Sequence, residues 1–104
     1  MGSTRRKELK DIVSQIDADY RRTDVTYGQL DRVLRSFGFT RRLLEKDPPA
    51  LRYEHKDTGA IISLPPFPQT DRVVDYHLAG VRATLDNYGI ADPKVFTAEL
   101  DEAG

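Results

Sequence analysis

Residues Gly38 to Pro65, GFTRRLLEKDPPALRYEHKDTGAIISLP, decide the fold. Three short runs of strand character, Thr40 to Lys46, Ala50 to His55 and Ala60 to Leu64, are separated by Asp47-Pro48-Pro49 and by Lys56-Asp57-Thr58-Gly59. Proline, aspartate and glycine clusters between such runs are turn chemistry, so the economical reading is two consecutive hairpins, a three-stranded meander. In the second run Leu51, Tyr53 and His55 alternate with Ala50, Arg52 and Glu54, as in an antiparallel strand with one face on a core, and Tyr53 is expected to face the helices. In the third, Ile62 and Leu64 point inward and Ile61 outward. The first run is less legible, because Leu43 and Leu44 are adjacent and one must face away from the core.

Working outward, the stretch before the meander has the best-specified helix start in the chain. Thr26-Tyr27-Gly28-Gln29 has the spacing of a capping box, with Val25 and Leu30 at the staple positions. Leu30, Val33, Leu34 and Phe37 form the apolar stripe, and Gly38 supplies the left-handed residue that ends the helix, with Phe39 folding back. After the meander, Pro65-Pro66-Phe67-Pro68-Gln69 cannot join a ladder through its prolines and reads as a stiff connection. A second helix is expected over Asp71 to Tyr88, capped by Thr70 or Asp71, with Val74, Leu78, Val81, Leu85 and Tyr88 inward and Gly89 closing it. Asp92-Pro93 opens a short acidic helix spanning about 92–101. Upstream, Leu9, Ile12, Val13, Ile16 and Tyr20 recur at three- and four-residue intervals, which predicts an N-terminal amphipathic helix over 4–23. The fold class expected is therefore α+β in the order α-α-β-β-β-α-α, a three-stranded antiparallel meander with helices on one face.

A chain of 104 residues is expected to form one domain, 1–104, burying roughly 65% of the surface its unfolded form exposes. It has no cysteine, which excludes a disulfide framework, thiolate metal sites and a thiol nucleophile. No apolar run has the length of a membrane span and Met1 to Lys10 lacks the apolar centre of a signal peptide, so no membrane partner and a cytoplasmic location are expected. The net charge of −1 conceals a division: residues 26–56 carry seven basic against four acidic side chains, and residues 57–104 three against eight. Arg41, Arg42, Lys46, Arg52 and Lys56 all fall on the first hairpin or its turns, and they are the candidate contacts to a polyanion such as RNA. Their bland alternative is to solvate the sheet and pair with Glu45, Asp47 and Glu54.

The helix ending in Leu34-x-x-Phe37-Gly38-Phe39, then His55-Lys56-Asp57-Thr58-Gly59 leading into Ile61-Ile62-Ser63-Leu64-Pro65, then Leu78-Ala79-Gly80-Val81-Arg82 running through Leu85 to Tyr88-Gly89-Ile90, resembles in order and spacing the HicA-type toxins. The resemblance covers a core of about 26–90 and implies a fold like that of double-stranded-RNA-binding domains. It further implies an RNA-cleaving protein neutralised by a HicB-like antitoxin, with a catalytic histidine in a Gly-Ser-His motif where the second strand begins. The matching positions here are Pro48-Pro49-Ala50, and alanine can neither move a proton nor bear charge. The expectation is an RNA-binding domain with a degenerate catalytic centre, without catalytic residue, metal or cofactor. Two alternatives stay open: an active ribonuclease with its acid or base relocated to His55 or His77, and an interaction module that binds protein rather than RNA. The oligomeric state is left open by the sequence.

Overall fold

The computed structural model describes residues 24–103. Helix α1 (Tyr27–Ser36) leads into strands β1 (Phe39–Leu44), β2 (Ala50–His55) and β3 (Ile61–Leu64), and helices α2 (Asp75–Asn87) and α3 (Pro93–Ala103) follow. The strands form one antiparallel sheet in the order β1-β2-β3. The described residues are thus a small α+β arrangement in the order α-β-β-β-α-α. The helix expected over 4–23 lies outside them.

The capping box forms as its spacing requires. The Thr26 N–H donates to Gln29 Oε1 at 2.8 Å, and the Gln29 N–H donates to Thr26 Oγ1 at 3.2 Å. The two remaining free donors of the first turn are met by distant backbone: the Tyr27 N–H donates to Asp71 O and the Gly28 N–H to Gln69 O, both at 3.0 Å. All four orphan N–H groups of the helix start are then satisfied, since the Leu30 N–H reaches Thr26 O. Gly28 is what permits this approach, because a Cβ there would stand 3.2 Å from Gln69 O. At the other end Gly38 takes φ +97 and Phe39 folds back into the core.

Register fixes the two faces of the sheet. Arg41 pairs with Tyr53 and Tyr53 with Ile62, while Arg42 pairs with Arg52 and Arg52 with Ser63. Phe39, Tyr53, Ile62 and Leu64 are buried on the inner face against Leu30, Val33 and Leu34 of α1 and Leu78, Val81 and Leu85 of α2. Helix α3 adds Phe96 and Leu100 to the same core. The outer face, with Thr40, Arg42, Arg52, Glu54, Ile61 and Ser63, carries no described helix.

Several boundaries differ from the sequence reading. The first strand is Phe39–Leu44 rather than Thr40 to Lys46, and the third begins at Ile61. The second long helix begins at Asp75, not Asp71; its N-cap is Val74, which makes no side-chain cap, so neither Thr70 nor Asp71 caps it. The cause is the backbone clasp just described, completed by the Val73 N–H donating to Val25 O at 2.8 Å and a bridge between Thr26 and Arg72. An extended segment held there cannot coil, and the clasp turns Val73 inward and leaves Val74 48% exposed. Tyr88 is likewise outward, because it lies beyond the last helical residue, where the chain has left the stripe's period. Helix α3 runs to Ala103, past the expected 101, with Asp92 Oδ1 accepting the Val95 N–H at 2.9 Å.

Candidate nucleic-acid interface

The sheet separates the five candidate cations. Arg41 has the inner parity, and its guanidinium lies 3.0 Å from Asp31 Oδ1 on α1. The Tyr53 hydroxyl donates to the same oxygen at 2.7 Å, and Arg35 approaches Oδ2 at 3.9 Å. Asp31 is the single charged residue among the described ones that is buried. Its carboxylate tolerates burial because an arginine and a phenol are aimed at it. Burial, then the hydrogen bond to Asp31 and that residue's negative charge, push the Tyr53 hydroxyl well above the ordinary phenol range. Arg41 is therefore committed to holding sheet and helix together.

Arg42 and Arg52 are direct cross-strand partners on the outer face. They share one carboxylate: Glu54 Oε1 is 2.8 Å from Arg52 Nε and 3.7 Å from Arg42 Nη2. The Arg52 contact is an ion pair without an aligned hydrogen bond, and its Nε is buried without a hydrogen-bonding partner. Like charges placed directly opposite in a sheet oppose folding, and a single shared acid compensates them only in part. The two lysines extend this pair along the face. Lys56 lines a shallow depression of about 380 Å³ with Arg52, Glu54 and Thr40, and Lys46 lines another with Arg42 and Glu45 at the far end of β1. Each arginine of the pair thus shares a depression with one lysine from beyond the end of its strand.

Both histidines are occupied. His55 Nε2 lies 2.9 Å from Phe37 O, which can only accept, so this nitrogen carries the proton. The remaining lone pair on Nδ1 faces the Thr58 hydroxyl at 2.9 Å and the Thr58 N–H at 3.3 Å. The ring also stacks obliquely on Phe39, so His55 ties the end of α1 to the turn between β2 and β3. His77 Nδ1 lies 2.8 Å from the Tyr27 hydroxyl, which also accepts the Val74 N–H at 3.4 Å. Each ring thus has at least one nitrogen engaged by an internal partner. Ala50, at the position of the resemblance's catalytic histidine, pairs with Leu44 where the first hairpin closes.

Asp31 is the residue the sequence reading missed. It looks like a solvent-side helix residue, and its one sequence signal is placement between Leu30 and Arg32 on a helix whose stripe also claims Val33 and Leu34. Among the described residues no group of three or more histidines, cysteines or acids is placed to hold a metal ion. None of their helices is long and apolar enough to cross a membrane. No family model matches the sequence, and searches of curated proteins and of solved structures give no significant match.

Proposed function

We propose that this chain is a HicA-like domain that binds RNA through the open face of its sheet and does not cleave it. The observation that carries the reading is Arg42 and Arg52 opposed across the ladder with one carboxylate between them, each sharing a surface depression with a lysine. Such an arrangement costs folding energy that a row of phosphates would return, and cations meeting phosphates supply most of the affinity in non-specific RNA binding. A three-stranded meander between helices, the left-handed Gly38 and the His55 to Gly59 turn support the comparison with a double-stranded-RNA-binding-like fold. That fold reads the shape and backbone of duplex RNA rather than its sequence. The absence of cleavage rests on Ala50 and on two histidines whose ring nitrogens are engaged by Phe37, Thr58 and Tyr27. This also disfavours the reading in which His55 or His77 has taken over catalysis. A HicB-like antitoxin or another protein partner remains part of what the resemblance implies.

The test is binding of a labelled short RNA duplex by fluorescence anisotropy across a salt series, with RNA integrity read on a gel from the same samples. The logarithm of affinity should fall with the logarithm of salt. Arg42→Ala and Arg52→Ala should each make that slope shallower by about 1, and Arg41→Ala should leave it unchanged. A flat salt response, equal effects of Arg41→Ala and Arg42→Ala, or cleaved RNA would count against the proposal.

A further inference from the structure

Strand β3 is an edge of the sheet. The His55 N–H donates to Ala60 O at 2.9 Å, one place beyond the pairing of Glu54 with Ile61, so the main-chain groups of Ile62 and Leu64, which share the parity of Ala60, are turned toward β2. Those of Ile61 and Ser63 are turned the other way, and no described residue meets them. Beside this edge a groove of about 510 Å³ lies between β3 and α2, lined by Ile61, Ser63, Tyr76, Gly80 and Thr84 among others. Tyr76 is 82% exposed there and Ile61 48%. Gly80 sits exposed in the middle of α2, a position where glycine weakens a helix. No described residue calls for it, since a Cβ there would meet no atom within 4 Å.

We infer that a second copy of this chain docks on this edge about a twofold axis that pairs β3 with β3 and α2 with α2, both antiparallel. Ile61 of one copy opposite Ser63 of the other exchanges two main-chain hydrogen bonds, the symmetric pair repeats them, and Ile62 meets Ile62 on the axis. The ladder stops there, because Pro65, next in the outward series, has no N–H. So short an edge gives an arbitrary extended peptide little to hold, and its occupant must fill the groove as well. Because β3 and α2 line one groove, the same axis runs past Gly80 and sets Tyr76 of each copy against Thr84 of the other. A large ring then meets a small residue whose hydroxyl is already bonded to Gly80 O at 2.9 Å, and the two bare Gly80 positions let the helices approach. One operator satisfies donors, acceptors and groove together, which is the self-complementarity an isologous contact requires. Tyr76 alone carries about 150–250 Å² of surface. With the strand edge and the rest of the groove each copy offers on the order of 500 Å², so the pair reaches the roughly 1,000 Å² expected of a specific but reversible contact. The dimer is a six-stranded sheet with both cationic faces on one side, and its formation does not depend on RNA.

Sedimentation equilibrium of the full chain without RNA tests this apart from the proposed function. The expected result is a reversible monomer–dimer equilibrium that changes little with salt, since no lysine, arginine, aspartate or glutamate lines the groove. Tyr76→Ala should weaken the dimer at least about tenfold. Gly80→Leu should weaken it as well, because it fills the crossing, while raising the melting temperature of the dilute monomer, because it favours the helix. The chain has no cysteine, so a single introduced thiol can pair only with its own copy. Under mild oxidation Gly80→Cys, beside the axis, should form a covalent dimer at least about tenfold faster than Asn87→Cys, about two turns away on the same side of α2. A monomer at every concentration, a dimer that Tyr76→Ala and Gly80→Leu leave intact, or equal cross-linking of the two cysteine variants would overturn the inference, the first by leaving the edge to a strand of a different protein.

Discussion

Arg41 and Arg42 are neighbours in sequence and chemically identical, yet they sit on opposite faces of the sheet. Arg41 spends its charge on Asp31 in a half-closed site shared with Tyr53. Arg42 stands in the open, facing another arginine across the ladder with a shared glutamate. The inner face shows what a charged network looks like when it is built for stability: each group is partnered and shielded. The outer face shows like charges brought together over a single shared carboxylate. The two-residue period of a strand is enough to divide the same side chain between these tasks.

The comparison breaks most visibly at Asp31. Asp31→Ala removes the acceptor that Tyr53 and Arg41 share and leaves a buried hydroxyl and a largely shielded guanidinium without it. It should lower stability by about 2–4 kcal/mol in urea unfolding. A loss below half a kilocalorie would mean that the network contributes little. Tyr53→Phe is the next largest change, about 1–2 kcal/mol at neutral pH, and it carries a pH signature. The Tyr53 hydroxyl holds its proton more tightly when folded than when unfolded. Its contribution is therefore complete below the unfolded phenol value, near pH 10, and is lost as pH rises toward the higher folded value. Above about pH 10 the parent should lose up to about 1.4 kcal/mol per pH unit more than Tyr53→Phe does. Parallel alkaline profiles would show that the hydroxyl is not held as described. The smallest stability effect is expected on the other face, where Arg42→Thr should change unfolding by no more than about 0.5 kcal/mol. The same substitution should weaken RNA binding, separating the two faces by what each is for.

Much of the scaffold is legible in the chain because its signals are local. A capping box, a glycine at a helix end, and alternation bounded by turn residues each act within a few residues, and Thr26, Gly38, Tyr53 and Ile62 stand where those signals place them. The misplacement of Val74 has a different origin. What decides that Val73 turns inward is a set of main-chain hydrogen bonds to Val25, Tyr27 and Gly28, and main-chain donors look the same in every residue. Gly28 was the available clue, a glycine in the first turn of a helix where propensity argues against one. The candidate site was partly legible. Five cations on one hairpin can be counted from sequence, but assigning Arg41 to the inner face needs the register with Tyr53, and seeing why it stays there needs Asp31, a partner from another element.

The clasp between the start of α1 and the segment before α2 also bears on the order of assembly. Both hairpins join residues close in sequence, whereas the Tyr27 hydroxyl meets His77 across 50 residues. Closing a long loop costs more entropy than closing a short one, and here the intervening chain is shortened in effect once the meander has formed. The loop entropy therefore predicts that the meander forms first and that the clasp closes on it. Substitutions at Tyr27 should speed unfolding and leave the folding rate nearly unchanged. An equal slowing of folding would place the clasp in the nucleus instead. In kinetic terms the clasp is a latch, which sets how long the folded chain lasts rather than how quickly it forms.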